Sequence, residues 1–340
     1  MSDSSSSAVI ICTRNRPAEL ESVLESLASQ TSRSPVWIVD ASDAEHDGRR
    51  IAESSRTKGL EMHCVRAAPG LTRQRMVGLG SLPADVLIVH FLDDDVVLEP
   101  GYLAAIEAEF ARDPRVVGAC GFITDAGPYE CSLWNRLCGL SSDKYGHVLG
   151  SGVHVRPWDP GDVVDRRIVK WLPGCCMSYR RRVFDVIGFD VCMTGYCLGE
   201  DLDFSFRAGK LGLLVATRYA RLEHHLSPMN RLDSEDLLRA GLMFRYRWVS
   251  ELRGHGVSRF AYWWSFFGPL SREVARLLAF RHDSHKRCRF LLSVLCDIAR
   301  LPPIQRIQQP QRGVLRHARC GLDTARTDSS QRGIGEKTQT

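Results

Sequence analysis

The sequence predicts an α/β fold, a Rossmann-like, mixed and mostly parallel sheet flanked by helices, with a helical appendage at its C-terminal side. Three observations predict it. Over residues 8–118 short apolar runs alternate with segments of helical period, the pattern of a largely parallel sheet covered on both faces. Carboxylates stand at the ends of apolar runs, at Asp40 and at Asp93-Asp94-Asp95, where such sheets bind ligands. After Pro228 the alternation gives way to long aromatic and basic segments of helical character.

The elements follow in order. Residues 8–12 form a buried strand that enters a loop at Thr13-Arg-Asn-Arg-Pro17. Pro17 suits a first helical turn, and Leu20, Val23, Leu24 and Leu27 recur at helical spacing. Residues 36–39 are a second strand, stopped by Asp40-Ala-Ser-Asp43, and the polar residues 48–58 read as helical. Residues 61–65 are a third, weaker strand, and residues 71–79 a helix after Pro69-Gly70. The strongest strand signal, residues 86–92, runs into the Asp triplet. A helix over 102–110 and a strand over 116–120 close the alternating part. Residues 125–170 are less periodic and predict a long excursion over the site. An apolar segment over 171–179, a short helix over 180–187, a helix over 198–211 opened by Gly199-Glu200-Asp201, and a last strand over 213–216 follow. Asp233 or Ser234 can cap a helix running to about Leu252, and Ser258 a second that Pro269 interrupts; a third spans about 284–301.

Composition bounds the function. The 340 residues are 44% hydrophobic and 25% charged, which excludes a fibrous or fully disordered chain. The twelve cysteines include no CxxC pair, so neither a zinc site nor a disulfide framework is expected. With no visible signal peptide after the Ser-rich start, reduced thiols in a cytoplasmic protein are the expectation. No apolar stretch reaches the ~20 residues that a bilayer span needs. The net charge of +5 is uneven: residues 281–340 hold 12 Lys+Arg against 5 Asp+Glu, and the rest is nearly balanced. The basic end therefore predicts an anionic partner. No nucleic-acid module accompanies it, so nucleic acid is not expected.

Three clusters carry chemistry. Three adjacent carboxylates at a buried strand end repel one another. A divalent cation would offset them, unless they are a solvated loop or a helix cap. Successive residues point to different sides, so one can hold metal while a neighbour takes a hydroxyl. Glu200 and Asp201 suit the helix dipole as capping acids, and either can also serve as a base facing a ligand. His224-His225 is either structural or completes a metal shell.

In order, Val9-Ile-Ile-Cys-Thr-Arg-Asn-Arg-Pro17, Ile38-Val-Asp40-Ala-Ser42, Pro69-Gly-Leu-Thr-Arg73-Gln-Arg75 and Phe91-Leu-Asp-Asp-Asp95 lead into the chain's second half. There Leu172-Pro-Gly174, Gly188-Phe-Asp190, Gly199-Glu-Asp201 and His224-His225 follow. This ordered set resembles the inverting family 2 glycosyltransferases of GT-A fold, over about residues 8–228. The resemblance implies transfer of a sugar from a nucleotide-diphosphate sugar to a hydroxyl acceptor (glycan, polysaccharide or lipid-linked precursor), assisted by Mn or Mg, in polysaccharide or cell-envelope biosynthesis. It implies that Asp40 meets the pyrimidine base, that Thr13 and Arg14 lie beside it, and that Arg73 and Arg75 lie near the diphosphate. It gives Asp93 and Asp94 to the ribose side, Asp95 to the metal, Asp201 to the catalytic base with Glu200 beside it, and His224 or His225 to the metal or diphosphate. The family's common Asp-Asp-Gly-Ser ending is replaced here by Asp40-Ala-Ser42, which keeps the base contact and weakens its neighbour. A non-catalytic GT-A protein that binds glycans or acts as a scaffold is the alternative, and the retained Asp95 and Asp201 argue against it. A nicotinamide dehydrogenase or a nucleotidyltransferase would need a Gly-rich turn after the first strand, and Cys12-Thr-Arg-Asn-Arg-Pro17 has none.

The expected organisation is a disordered 1–7, a GT-A domain over 8–232, a helical appendage over 233–304 and a basic disordered tail over 305–340. Nine of the 28 aromatic residues fall between Phe244 and Phe267. They either pack against the catalytic domain or, with Arg239, Arg245, Arg247, Arg253 and the tail, touch the inner face of an anionic membrane.

Overall fold

The computed structural model describes residues 6–43, 59–159, 161, 164–193, 197–227, 232–252, 256–278 and 283–301. The expected helix over 48–58, residues 1–5, the tail over 305–340 and Arg253 therefore lie outside the described residues, whereas Ser7, placed by the sequence in a disordered start, is buried and begins the first strand.

Among the described residues the strands are β1 (Ser7–Thr13), β2 (Val36–Asp40), β3 (Met62–Arg66), β4 (Ile88–Asp93), β5 (Val96–Leu98), β6 (Val116–Ile123), β7 (Arg166–Val169), β8 (Cys176–Arg180) and β9 (Leu213–His224). They form one sheet in the order β3-β2-β1-β4-β8-β6-β9-β5, with β7 paired to β9. Six of them, β3, β2, β1, β4, β6 and β9, point the same way. β8 is inserted antiparallel between β4 and β6, while β5 and β7 run antiparallel to β9. The mixed, mostly parallel sheet is the one the alternation predicts. β1 and β2 are buried almost throughout, as expected of parallel strands covered on both faces.

The covering helices are α1 (Pro17–Ala28), α2 (Leu71–Ser81) and α3 (Tyr102–Arg112). Pro17 opens α1, where its missing N–H removes no helical bond. Leu20, Val23, Leu24 and Leu27 of α1 pack into the main core with Ile10, Val39 and Phe91. The excursion over 125–170 holds a short helix, α4 (Leu133–Leu137), as well as β7. A 3-10 turn spans Arg181–Asp185, and α5 covers Glu200–Ala208.

Two sequence expectations change. The last strand runs to His224 rather than to residue 216, because β5 lies antiparallel against its far end. Pro269 does not interrupt its helix. In the appendage, α6 (Ser234–Glu251) is capped by Asp233, α7 (Arg259–Leu278) continues through Pro269, and α8 covers Asp283–Ala299. Gly268 precedes the proline and carries no Cβ to clash with its ring, so the helical conformation survives there.

The appendage has its own core of Leu242, Trp248, Val249, Tyr262, Phe266, Val294 and Ile298, which reaches Trp171 and Leu202 of the sheet domain. The packing reading thus holds for Trp248, Tyr262 and Phe266. Arg239 is paired with Asp297, and Arg245 lies over the Tyr262 ring with Nη2 donating to Ser265. Those two arginines are engaged within the appendage.

Candidate active site

Parallel pairing sets the strand ends level. Thr13 stands opposite Asp40, and Cys12 opposite Asp93. The edge lies where β2 and β4 diverge on either side of β1, the place at which open α/β sheets bind ligands.

The turn between the end of β4 at Asp93 and the start of β5 at Val96 then splits the acidic triplet. Asp94 turns to β1: Thr13 Oγ1 donates to its Oδ2 at 2.7 Å and Arg16 Nη1 to its Oδ1 at 2.9 Å. Burial raises Asp94 to about 6 against the pull of Arg16 and Thr13. Asp93 and Asp95 gather instead with His224, and one ligand atom from each lies within 4.8 Å of the others. The register Val96↔His224 between β5 and β9 delivers the histidine. His224 Nε2 is 3.1 Å from Asp95 Oδ1, and the Ser227 N–H donates to Asp95 Oδ2 at 3.1 Å.

The electrostatics are those of a crowded anionic site. Burial raises Asp93, helped by Asp95 and Asp201 and opposed by Arg75 and His224. Burial also works to raise Asp95, but the hydrogen bonds from His224 and Ser227 and the charges of His224 and Arg16 bring it below the usual range. Burial lowers His224, yet Asp95 and Asp93 lift it above the ordinary imidazole value. Two carboxylates and one imidazole are oxygen and nitrogen donors of the kind that hold a divalent cation. Of the histidine pair, His225 stays out of the group: its exposed ring pairs with Glu223, and only its backbone N–H reaches Asp95 O.

Glu200 and Asp201 begin α5. Asp201 Oδ2 accepts from the Gly174 N–H at 3.0 Å. Glu200 Oε2 lies 2.5 Å from Arg75 Nη1, with the two side chains 7% and 2% exposed. Burial pushes Glu200 up to about 8, with Arg75 pulling back and Asp201 adding. Arg75 also donates to Gly174 O at 3.0 Å, sits 3.5 Å from Asp93 Oδ1, and lies over the Phe91 and Phe189 rings. It joins the two acidic elements from inside, with no open face toward a diphosphate. Arg73, two residues earlier on α2, is exposed, as is Arg14 at the mouth of the β1 loop.

Gly199 fixes how α5 enters. Its φ of +83° favours glycine, and a Cβ there would stand 2.2 Å from Phe244 of α6. The appendage thus packs on the turn that aims Glu200 and Asp201. Asp40 is buried, its Oδ1 accepting from the Ser42 N–H and its Oδ2 from Arg66 Nη1 at 2.8 Å.

Several of these residues had no role in the sequence reading. Arg16 lies inside the quoted β1 motif, so a basic residue beside the triplet was there to be found. Arg66 and Ser227 stand on segments without a motif. His154 sets its ring edge-on to Trp171 at 4.4 Å, and burial of the imidazole lowers its pKa, with Asp201 opposing and Arg245 adding.

Comparisons with known proteins show the family and the fold. The sequence model of glycosyl transferase family 2 matches residues 8–188. The N-acetylglucosaminyl-diphospho-decaprenol L-rhamnosyltransferase of Mycobacterium tuberculosis is 28% identical over 281 residues, covering 77% of this chain and 90% of that protein. Among solved structures, a mannosyltransferase from Pyrobaculum calidifontis in complex with GDP-Man and Mn2+ aligns with a TM-score of 0.50 at 15% identity, over 96% of this chain and 81% of that one. GalNAc-T7 with UDP, GalNAc and Mn2+ aligns with a TM-score of 0.51 at 15% identity, over 78% of this chain and 55% of that one. The chain thus spans about half of GalNAc-T7. At such identities the likeness shows the fold, which is GT-A. The strand-end site, the GT-A sheet and the match over residues 8–188 make this chain a member of glycosyl transferase family 2.

Proposed function

We propose that the chain transfers a deoxyhexose, L-rhamnose in the first instance, from its nucleotide-diphosphate form to a hydroxyl of a polyprenyl-diphosphate-linked glycan, with inversion at the anomeric carbon. The grouping of Asp93, Asp95 and His224 at the end of β4, electrostatically linked to Asp201, carries this reading. The choice of sugar and acceptor rests on the 28% identity to the mycobacterial rhamnosyltransferase over most of both chains.

In this reading Asp40, Thr13 and Arg14 bound the nucleotide pocket at the ends of β1 and β2. Arg16 and Thr13 hold Asp94 in place beside it. Asp93, Asp95 and His224 would hold a divalent cation, which when bound offsets the charge gathering on the departing nucleoside diphosphate. Exposed Arg73 supplies a cationic contact on the same side, while buried Arg75 positions Glu200 and Asp93. Asp201 takes the proton of the acceptor hydroxyl as its oxygen attacks the anomeric carbon. The bond from that carbon to the phosphate oxygen breaks on the opposite face, and the diphosphate leaves with the electron pair. Inversion follows from a single displacement. Domain limits of 8–232 for the catalytic unit and 233–304 for the appendage suit this division of work.

The test is a thermal-shift screen of nucleotide sugars with and without Mn. A deoxyhexose donor should stabilise the protein only when Mn is present, as ligand linkage requires. Asp95→Asn should remove that metal dependence. Stabilisation by no nucleotide sugar, or equal stabilisation without metal, would count against the reading.

A further inference from the structure

α7 has two apolar faces, and the fold uses one. Tyr262 and Phe266 are buried in the appendage core. On the opposite side Phe260, Trp264, Phe267, Val274 and Leu278 are exposed by 78, 57, 49, 42 and 77%. Their spacings of four, three, seven and four residues keep them on one helical stripe. At 1.5 Å per residue the helix is about 30 Å long. The stripe is widened by α4, where Leu133, Trp134 and Leu137 are exposed by 73, 41 and 62%. Trp264 Nε1 donates to Leu137 O at 2.8 Å, fastening the two elements together. Eight exposed large apolar side chains on two joined helices form an unusual outer surface for a folded domain.

We propose that this surface docks on an anionic lipid bilayer, with α7 lying in the plane of the interface. Three features favour a bilayer. The stripe mixes Trp and Phe with aliphatic residues, as interfacial helices do. Its surroundings are basic: Arg272 is exposed on α7, and Lys286 and Arg289 are exposed on α8, which packs against α7, while exposed Arg136 and Arg287 each lie against one carboxylate, Asp143 and Glu273. In sequence, residues 281–340 carry 12 basic against 5 acidic residues, a balance that an anionic leaflet attracts. A second copy of the chain, docked symmetrically, would bring these same cations face to face. Among the described residues no helix is long and apolar enough to cross a membrane, so the contact is peripheral. Of the α6 arginines that the sequence pointed to, Arg239 and Arg245 are engaged inside the appendage, and Arg247 is exposed. The inference gives a purpose to the proposed lipid-linked acceptor, yet its test is independent of sugar transfer.

Vesicle flotation of the full chain is the experiment, with phosphatidylcholine alone and with phosphatidylcholine containing phosphatidylglycerol. The wild-type chain should float with the anionic vesicles, less so at high salt and weakly with the neutral ones. Phe260→Ser/Phe267→Ser should cut anionic binding at least tenfold, while the circular dichroism melt and donor turnover on a water-soluble acceptor stay unchanged. Failure of the wild-type chain to float, or wild-type flotation of the variant, overturns the proposal. So does a dimer that the substitutions dissociate, because the face would then be a contact between copies. Absence of donor turnover in the wild-type chain would instead sink the proposed function and leave the docking surface standing.

Discussion

Arg75→Met removes the cation that ties α2 to the first turn of α5. In the wild-type chain Arg75 Nη1 is 2.5 Å from Glu200 Oε2, and neither side chain has appreciable contact with water. At that separation the gross attraction is about 7 kcal/mol for an effective dielectric constant of 20. The net cost of stranding one member of such a pair is about 3–5 kcal/mol. For a chain of this size, at about 2.1 cal/mol/K of unfolding entropy per residue, that lowers the melting temperature by about 4–7 °C. The cost depends on pH with a definite sign. Burial holds Glu200 at about 8, against 4.5 for a free glutamate. Its contribution to stability is therefore full below pH 4.5 and is lost as pH rises through 8. Without Arg75 the carboxyl escapes by staying protonated at low pH, so the variant should lose the full amount at pH 9. Near pH 6 it should lose only about 1–2 kcal/mol, the share of a lost hydrogen bond. Urea unfolding at the two pH values measures both. Arg75→Met/Glu200→Leu, which removes both charges, should recover most of the loss. A cost under about 1 kcal/mol at pH 9, or a double variant less stable than Arg75→Met, would refute the inward-facing role of Arg75.

Other substitutions separate the parts of the site. Asp93→Asn and Asp95→Asn should each abolish Mn-dependent donor binding in calorimetry, whereas His225→Ala should leave it within twofold. Thr13→Val removes one of the two donors to buried Asp94 and should cost about 1–3 kcal/mol in urea unfolding. Gly199→Ala forces a side chain into a left-handed conformation against Phe244 and should cost at least about 1–3 kcal/mol. It should also slow transfer, by shifting Asp201; a change in stability with an unchanged rate would show that the α5 entry does not set the site.

Much of the sheet domain was legible because parallel strands covered on both faces leave an unbroken apolar signature. Residues 8–12, 36–39 and 86–92 carry it, and the acids follow where those strands end. β5 and β7 were not legible. Each is only three or four residues long and is defined by its partner β9, whose own extension past Ala216 has a mixed pattern because one face is half-exposed. That extension matters most, for it changes His224 from a residue beyond the sheet into the last residue of a strand. The acidic triplet was legible as a cluster but not in its division, since a two-residue turn between β4 and β5, and not a continuous strand, sends Asp94 to Thr13 and Arg16. Arg75 was read by its charge, whereas its burial depends on Glu200, 125 residues away in sequence. Pro269 signals a break in the sequence, and the helix passes through it because Gly268 offers no Cβ to its ring.

Single-turnover transfer by Asp201→Asn, measured with donor affinity on the same preparation, tests the central claim most directly. The substitution keeps the shape of the side chain and one of its two bonds as an acceptor, from the Gly174 N–H or the Leu202 N–H, while removing the base. Donor affinity in the presence of Mn should stay within about twofold, and transfer should fall by about 100- to 10,000-fold, the range that general base catalysis supplies. Near wild-type transfer with intact donor binding would contradict the assignment of Asp201 and with it the proposed mechanism.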